Sequence, residues 1–215
     1  MKRGSRLRIA VGGLIAVLLL GGLLGYLYID RERQALGHMS RGLAAYKARD
    51  WQEAAGAFSE AIRVAPPFSS RRPEAYTWRG NARSELREYD GAIDDFDEAI
   101  RLDPKRALAY RSRGVAWGQK GERGRALTDL AEAIRLAPDD PLAPYNRGVV
   151  HAKGGEYDLA VADFGEAIRL NPNYAKAYLA RSKVHGKKGA SAQAQSDREK
   201  AIVLDPTLGE PGGDW

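Results

Sequence analysis

The chain has no cysteine, only three histidines and only two methionines in 215 residues. Without thiols, disulfides, thiolate chemistry and lipid attachment through Cys are excluded. His38, His151 and His185 are too dispersed for a zinc pair, and the last two share one position of an internal repeat, where core packing accounts for them. No Gly-rich phosphate loop and no Ser/His/Asp arrangement stands at motif spacing. The densest carboxylate run, Asp94, Asp95, Asp97 and Glu98, has no basic or apolar neighbourhood to tune it and reads as a solvated helix face. An enzyme is therefore not expected, nor a cofactor or a bound metal.

Charge of one sign is also scarce in the body of the chain. Of the net charge of +6, four positive charges (Lys2, Arg3, Arg6 and Arg8) precede the first acidic residue, Asp30. From Asp30 onward 30 basic residues face 28 acidic ones with signs interspersed. A nucleic-acid partner calls for a one-signed patch on a folded domain, so none is expected.

What is present begins with residues 9–29, which are 21 consecutive uncharged residues, IAVGGLIAVLLLGGLLGYLYI. A helix of that length spans roughly 30 Å, the thickness of a hydrocarbon core. The run exceeds the apolar stretch of a cleavable signal, and the best small-x-small site, Ala35-Leu36-Gly37, lies beyond the charged run Asp30-Arg31-Glu32-Arg33. A retained transmembrane anchor is expected, with Tyr26 and Tyr28 at the interface and the basic tail 1–8 in the cytoplasm. That places the rest outside the cytoplasm, periplasmic if the anchor sits in a bacterial inner membrane. Cleavage, giving a secreted or periplasmic protein, is the alternative. Gly21 and Gly25 form a small-xxx-small pair through which two anchors could dimerise.

The remainder is periodic. EAIRVAP, EAIRLDP, EAIRLAP, EAIRLNP and KAIVLDP end at Pro66, Pro104, Pro138, Pro172 and Pro206, at intervals of 38, 34, 34 and 34 residues. These define repeats 35–68, 73–106, 107–140, 141–174 and 175–208, with an insertion at 69–72 after the first. Each repeat reads as two amphipathic helices, with Gly121, Gly155 and Gly189 punctuating turns and proline ending each second helix. Asp50, Asp90 and Asp158 stand where second helices begin, as N-caps or in the first turn. The segment 209–215 reads as a disordered tail.

Repeat two carries Tyr76, Gly80, Ala92, Phe96 and Pro104; repeats one and four carry Gly42, Ala54, Phe58, Ala61, Pro66 and Gly148, Ala160, Phe164, Ala167, Pro172. Repeat three has Tyr110, Gly114, Ala126, Leu130, Ala133 and Pro138, while in repeat five Ser182 replaces the glycine and Arg198 the large apolar residue. In this pattern the chain resembles the tetratricopeptide-repeat family over residues 35–208. The resemblance implies an all-α right-handed solenoid of about five stacked helix-turn-helix repeats, here preceded by one transmembrane helix. Glycine on each first helix should face alanine on the second, with the large residue filling the gap against the next repeat.

One departure from the family pattern is regular. Its seventh position, usually leucine, is Arg41, Arg79, Arg113, Arg147 and Arg181, and repeats two to five carry Asp95, Asp129, Asp163 and Asp197 on the second helix. Ala57 holds that place in repeat one. The two columns are expected to form a structural ladder of partly buried ion pairs, Arg79–Asp95, Arg113–Asp129, Arg147–Asp163 and Arg181–Asp197, within or across repeats.

The resemblance also implies a concave groove for a protein or peptide partner, lined by first helices. Its positions here are Met39, Leu43, Trp78, Asn81, Leu108, Arg111, Tyr145, Asn146, Val149 and Lys176. The carboxylate clamp of chaperone-binding members is matched only in part, by Arg111, Asn146 and Lys176, with Val115 and Ala180 where polar groups belong. The function expected is a membrane-anchored scaffold or adaptor in envelope assembly or export. A self-assembling structural protein is the alternative.

Overall fold

The computed structural model describes residues 3–209, with side chains from residue 20 onward. Among these residues there are ten α-helices, a closing 3-10 turn at Pro206–Gly209 and no strand. The helices are α1 (Arg3–Lys47), α2 (Trp51–Val64), α3 (Arg71–Glu85), α4 (Tyr89–Leu102), α5 (Ala107–Gln119), α6 (Arg123–Leu136), α7 (Leu142–Lys153), α8 (Tyr157–Leu170), α9 (Ala175–Lys187) and α10 (Ser191–Leu204). They belong to two compact units, one ending at Ala82 and the other beginning at Arg83.

In the first unit the helix expected to be a separate anchor and the first helix of repeat one are a single element, because α1 runs unbroken from Arg3 to Lys47. Residues 30–34, Asp-Arg-Glu-Arg-Gln, contain no glycine or proline to interrupt it, and the Gln34 amide donates to Asp30 one turn back at 2.8 Å. Among the described residues no helix is long and apolar enough to cross a membrane. Residues 3–8 of the basic tail and 9–19 of the expected anchor have no described side chains, and residues 1–2 lie outside the described residues.

The hairpin α1–α2 closes on Met39, Ala54, Phe58, Ala61 and Ile62. Asp50 caps α2 by accepting the Glu53 N–H at 3.0 Å. The Phe58 ring lies flat on Gly42, where an added Cβ would come within 2.6 Å of it. Glycine is required there by the ring of its own hairpin, and at Gly114 an added Cβ would also meet the backbone oxygen of the facing Ala126 at 3.1 Å.

The second unit repeats this arrangement. A Cβ on Gly114 would stand 2.9 Å from Leu130 Cγ and one on Gly148 2.8 Å from Phe164 Cε1. Phe164 also joins Ala180 and Val184 of the following repeat in one buried cluster. Ser182 replaces the glycine in α9 because its hydroxyl finds the Ala194 carbonyl at 2.6 Å. After α2, α4, α6, α8 and α10 a single non-helical residue precedes the proline, as expected. Gly121, Gly155 and Gly189 turn between helices at φ of +81°, +78° and +75°. Arg49 and Arg87 take the same left-handed conformation in the first two repeats, at φ of +60° and +63°. Gly209 lies in the closing 3-10 turn, and the rest of the expected disordered tail falls outside the described residues.

Candidate functional site

The arginine column builds three bidentate rungs in the second unit. Arg113 donates to both oxygens of Asp129 at 2.8 Å. Arg147 donates to Asp163 at 2.6 and 3.0 Å, and Arg181 to Asp197 at 2.7 and 2.8 Å. The three aspartates are buried, and their hydrogen bonds hold each guanidinium well above its ordinary pKa. The rungs lie within repeats, and Arg113 alone reaches back to Asp97 of the preceding repeat as well.

Arg79 bonds the Ser59 hydroxyl at 3.1 Å in the first unit, while Asp95, in the second, receives Arg83 at 2.9 Å. Arg41 meets Glu53 at the surface at 3.0 Å, since Ala57 offers no carboxylate. The carboxylate run is thus not one solvated face. Asp95 is 2% exposed and paired, Asp97 and Glu98 are engaged by Arg113 and Arg101, and Asp94 faces water. His151 and His185 each bring Nε2 to within 3.9 Å of a rung aspartate, and His151 Nδ1 bonds Glu156. Among the described residues no cluster of His, Asp and Glu could hold a metal.

The expected groove residues divide sharply. Met39 is 3% exposed and belongs to the hairpin core, so it offers no surface. Leu43 packs on that core, and Trp78 lies edge-on to Tyr46 with centroids 5.3 Å apart and stacks on Phe58. Asn81 and Leu108 are half-buried and Lys176 is exposed. Arg111 Nε stands 3.1 Å from Asp140, off the N–H direction, so its charge is met by an ion pair without an aligned hydrogen bond.

Tyr145, Asn146 and Val149 do converge. With Val115, Gly118 and Gln119 of α5, and Arg123, Val150, Lys153 and Gly154, they line a cleft of about 440 Å³ between α5 and α7. Tyr145 is fixed by Phe164 and Tyr174, and burial pushes both tyrosine hydroxyls up in pKa. Arg123 bonds Glu156 through Nη2, while its Nε is buried with no acceptor.

A register comparison explains the opening. Lys120 reaches Asp90 and Lys188 reaches Asp158, each a staple between residues 30 apart that joins adjacent repeats. Asp90 and Asp158 lie in the first turns of α4 and α8, as expected, behind the N-cap positions Glu88 and Glu156, and they also serve the neighbouring repeat. Between those two steps the equivalent positions are Gly124 and Gly154, and Arg123 replaces the tyrosine found at Tyr89 and Tyr157. The step from α6 to α7 has no Lys–Asp staple and is joined by the Arg123–Glu156 pair instead, and the cleft opens beside it.

The chain belongs to the tetratricopeptide-repeat family: a family model described as tetratricopeptide repeat matches residues 39–107 and 78–141, and one described as TPR repeat matches residues 152–189. Members of this family are protein-binding modules. No curated protein matches the chain. Among solved structures it is similar to MamA, residues 41 to the end, from Desulfovibrio magneticus RS-1, at 20% identity and a TM-score of 0.66 over 82% of this chain and 98% of that one. TTC0263, a thermophilic TPR protein from Thermus thermophilus, is similar at 22% identity and 0.69, over 80% and 92%. YrrB, described as a TPR protein with an unusual peptide-binding site, is similar at 21% identity and 0.58, over 83% and 90%. At these identities the likeness establishes the fold.

Proposed function

We propose that the chain is a membrane-tethered adaptor that holds an extended segment of a partner protein in the cleft between α5 and α7. The observation that carries this reading is the convergence of Tyr145, Val149 and Val115 with Asn146 and Lys153 beside the α6–α7 step, which lacks the Lys–Asp staple of the α4–α5 and α8–α9 steps. An apolar wall with a few placed polar groups suits a side chain of the partner, and the amide and ammonium suit its backbone or a carboxylate. A photo-crosslinking residue at Val149 should capture a discrete partner in the native cell, whereas the same residue at Leu159, 52% exposed on α8, should not. Equal capture from both positions, or from Leu159 alone, would place binding elsewhere.

Tethering rests on the uncharged run 9–29. Leu20, Leu23, Leu24 and Leu27 on one face of α1 and Tyr26, Tyr28 and Ile29 on the others are all exposed, which favours lipid over a protein core around them. The tail 1–8 would be cytoplasmic and the repeats periplasmic, at a bacterial inner membrane, in envelope assembly or export. Space around Gly21 and Gly25 is open, which suits pairing of two anchors. Resistance to carbonate extraction with an intact N-terminus is expected; a mature chain beginning after residue 29 would contradict tethering.

A further inference from the structure

Phe68 is 94% exposed, the most exposed of the large apolar side chains described. It is not on a loose loop. The Ser69 N–H donates to Pro66 O at 3.1 Å, the Ser69 hydroxyl accepts the Arg71 N–H at 3.1 Å, and the Arg72 N–H donates to Ser69 O at 3.2 Å. A tight turn, entered through Pro66 and Pro67, thus holds the ring out.

Its place in the first unit is definite. Arg71 Nε pairs with Glu32 at 2.8 Å, and further along both helices Tyr46 meets Trp78, so α1 and α3 run the same way. The turn before Arg71 therefore lies at the end of the hairpin that faces the apolar run. Glu32 is only about 4.5 Å of helix beyond Ile29, and Phe68 is within about 10 Å of chain from Arg71. The composition is also distinctive. The corresponding turns elsewhere read Asp-Pro-Lys-Arg, Ala-Pro-Asp-Asp-Pro and Asn-Pro-Asn-Tyr, whereas 65–72 reads Ala-Pro-Pro-Phe-Ser-Ser-Arg-Arg, with an exposed ring, two arginines and no carboxylate.

We propose that this insertion is a second membrane contact: Phe68 enters the headgroup region of the bilayer that α1 crosses, with Arg72 against anionic lipid, and so fixes the angle between anchor and first hairpin. An aromatic wedge beside cations is the chemistry of interfacial binding, and continuity with the exposed leucines of α1 selects lipid over a protein as occupant. The proposal rests on the tethering reading above.

The absence of cysteine makes the test clean. Full-length Phe68→Cys, Leu24→Cys and Ala48→Cys chains, each labelled with an environment-sensitive fluorophore, are reconstituted into phosphatidylglycerol–phosphatidylethanolamine vesicles carrying headgroup-region spin-labelled lipid. Ala48 lies roughly 28 Å of helix beyond Ile29 in the same unit and is exposed. Probes at 24 and 68 should lose most of their emission and the probe at 48 little. Quenching at 24 but not at 68 would overturn the membrane contact, leave the anchor standing and leave Phe68 to water or a protein. Quenching at 48 equal to that at 68 would also overturn it, as crowding on the bilayer surface. No quenching at 24 would overturn the tethering reading and this proposal with it.

Discussion

Gly154 lies directly against the Arg123 side chain, and a Cβ there would come within 2.5 Å of Arg123 Nε. The glycine that removes a staple is thus also the one that lets an arginine replace a tyrosine. Restoring the neighbouring pattern with Arg123→Tyr, Gly124→Asp and Gly154→Lys should stabilise the fold by about 1 kcal/mol, since one helix glycine is removed and the Lys–Asp pair gained offsets the Arg123–Glu156 pair lost. Urea denaturation measures this. A loss of stability would mean that the glycines serve packing and not an opening.

The ladder carries a different expectation. Asp163→Ala leaves the partly exposed Arg147 guanidinium without its acceptors and should cost about 2–3 kcal/mol. The double variant Arg147→Met, Asp163→Leu should recover much of that, because an apolar pair requires no charge to leave water. Equal losses in single and double variants would show that the pair contributes packing alone.

Arg87 occupies a left-handed conformation that glycine holds in the third, fourth and fifth repeats. Arg87→Gly should therefore raise stability by about 1 kcal/mol, against the usual penalty for a glycine. A lower melting temperature would indicate that the Arg87 side chain contributes more than its backbone costs.

Acid should weaken one inter-repeat link in particular. Hydrogen bonds from His151 and then Arg123 hold the Glu156 carboxyl below the usual carboxylate range. A lowered folded pKa contributes stability above the unfolded value of about 4.3, and that contribution is lost as pH falls through the folded value. The melting-temperature gap between wild type and Glu156→Gln should be widest near neutrality and close in acid. A gap unchanged to about pH 3 would remove Glu156 from the link.

The repeats were legible because proline and a 34-residue period mark every second helix, and the rungs because Arg and Asp recur 16 residues apart. Groove positions were legible only in part. Family register places Met39 and Tyr145 alike, but burial of Met39 depends on which hairpin covers it, and the Arg111–Asp140 pair joins a helix to a loop that no periodicity specifies. The staples did leave a signal, Asp-Gly-Asp at 90, 124 and 158 against Lys-Gly-Lys at 120, 154 and 188, readable only by comparing two columns 30 residues apart. The unbroken α1 was hidden because the apolar run and the first repeat look like separate segments, although nothing between them breaks a helix.

If the missing staple creates the binding cleft, restoring it should close the site. The direct measurement is the affinity of the partner captured at Val149 for wild type and for the Arg123→Tyr, Gly124→Asp, Gly154→Lys variant. A loss of affinity of at least tenfold, about 1.4 kcal/mol, is expected in a variant that is more stable than wild type. Undiminished affinity in that variant would contradict it.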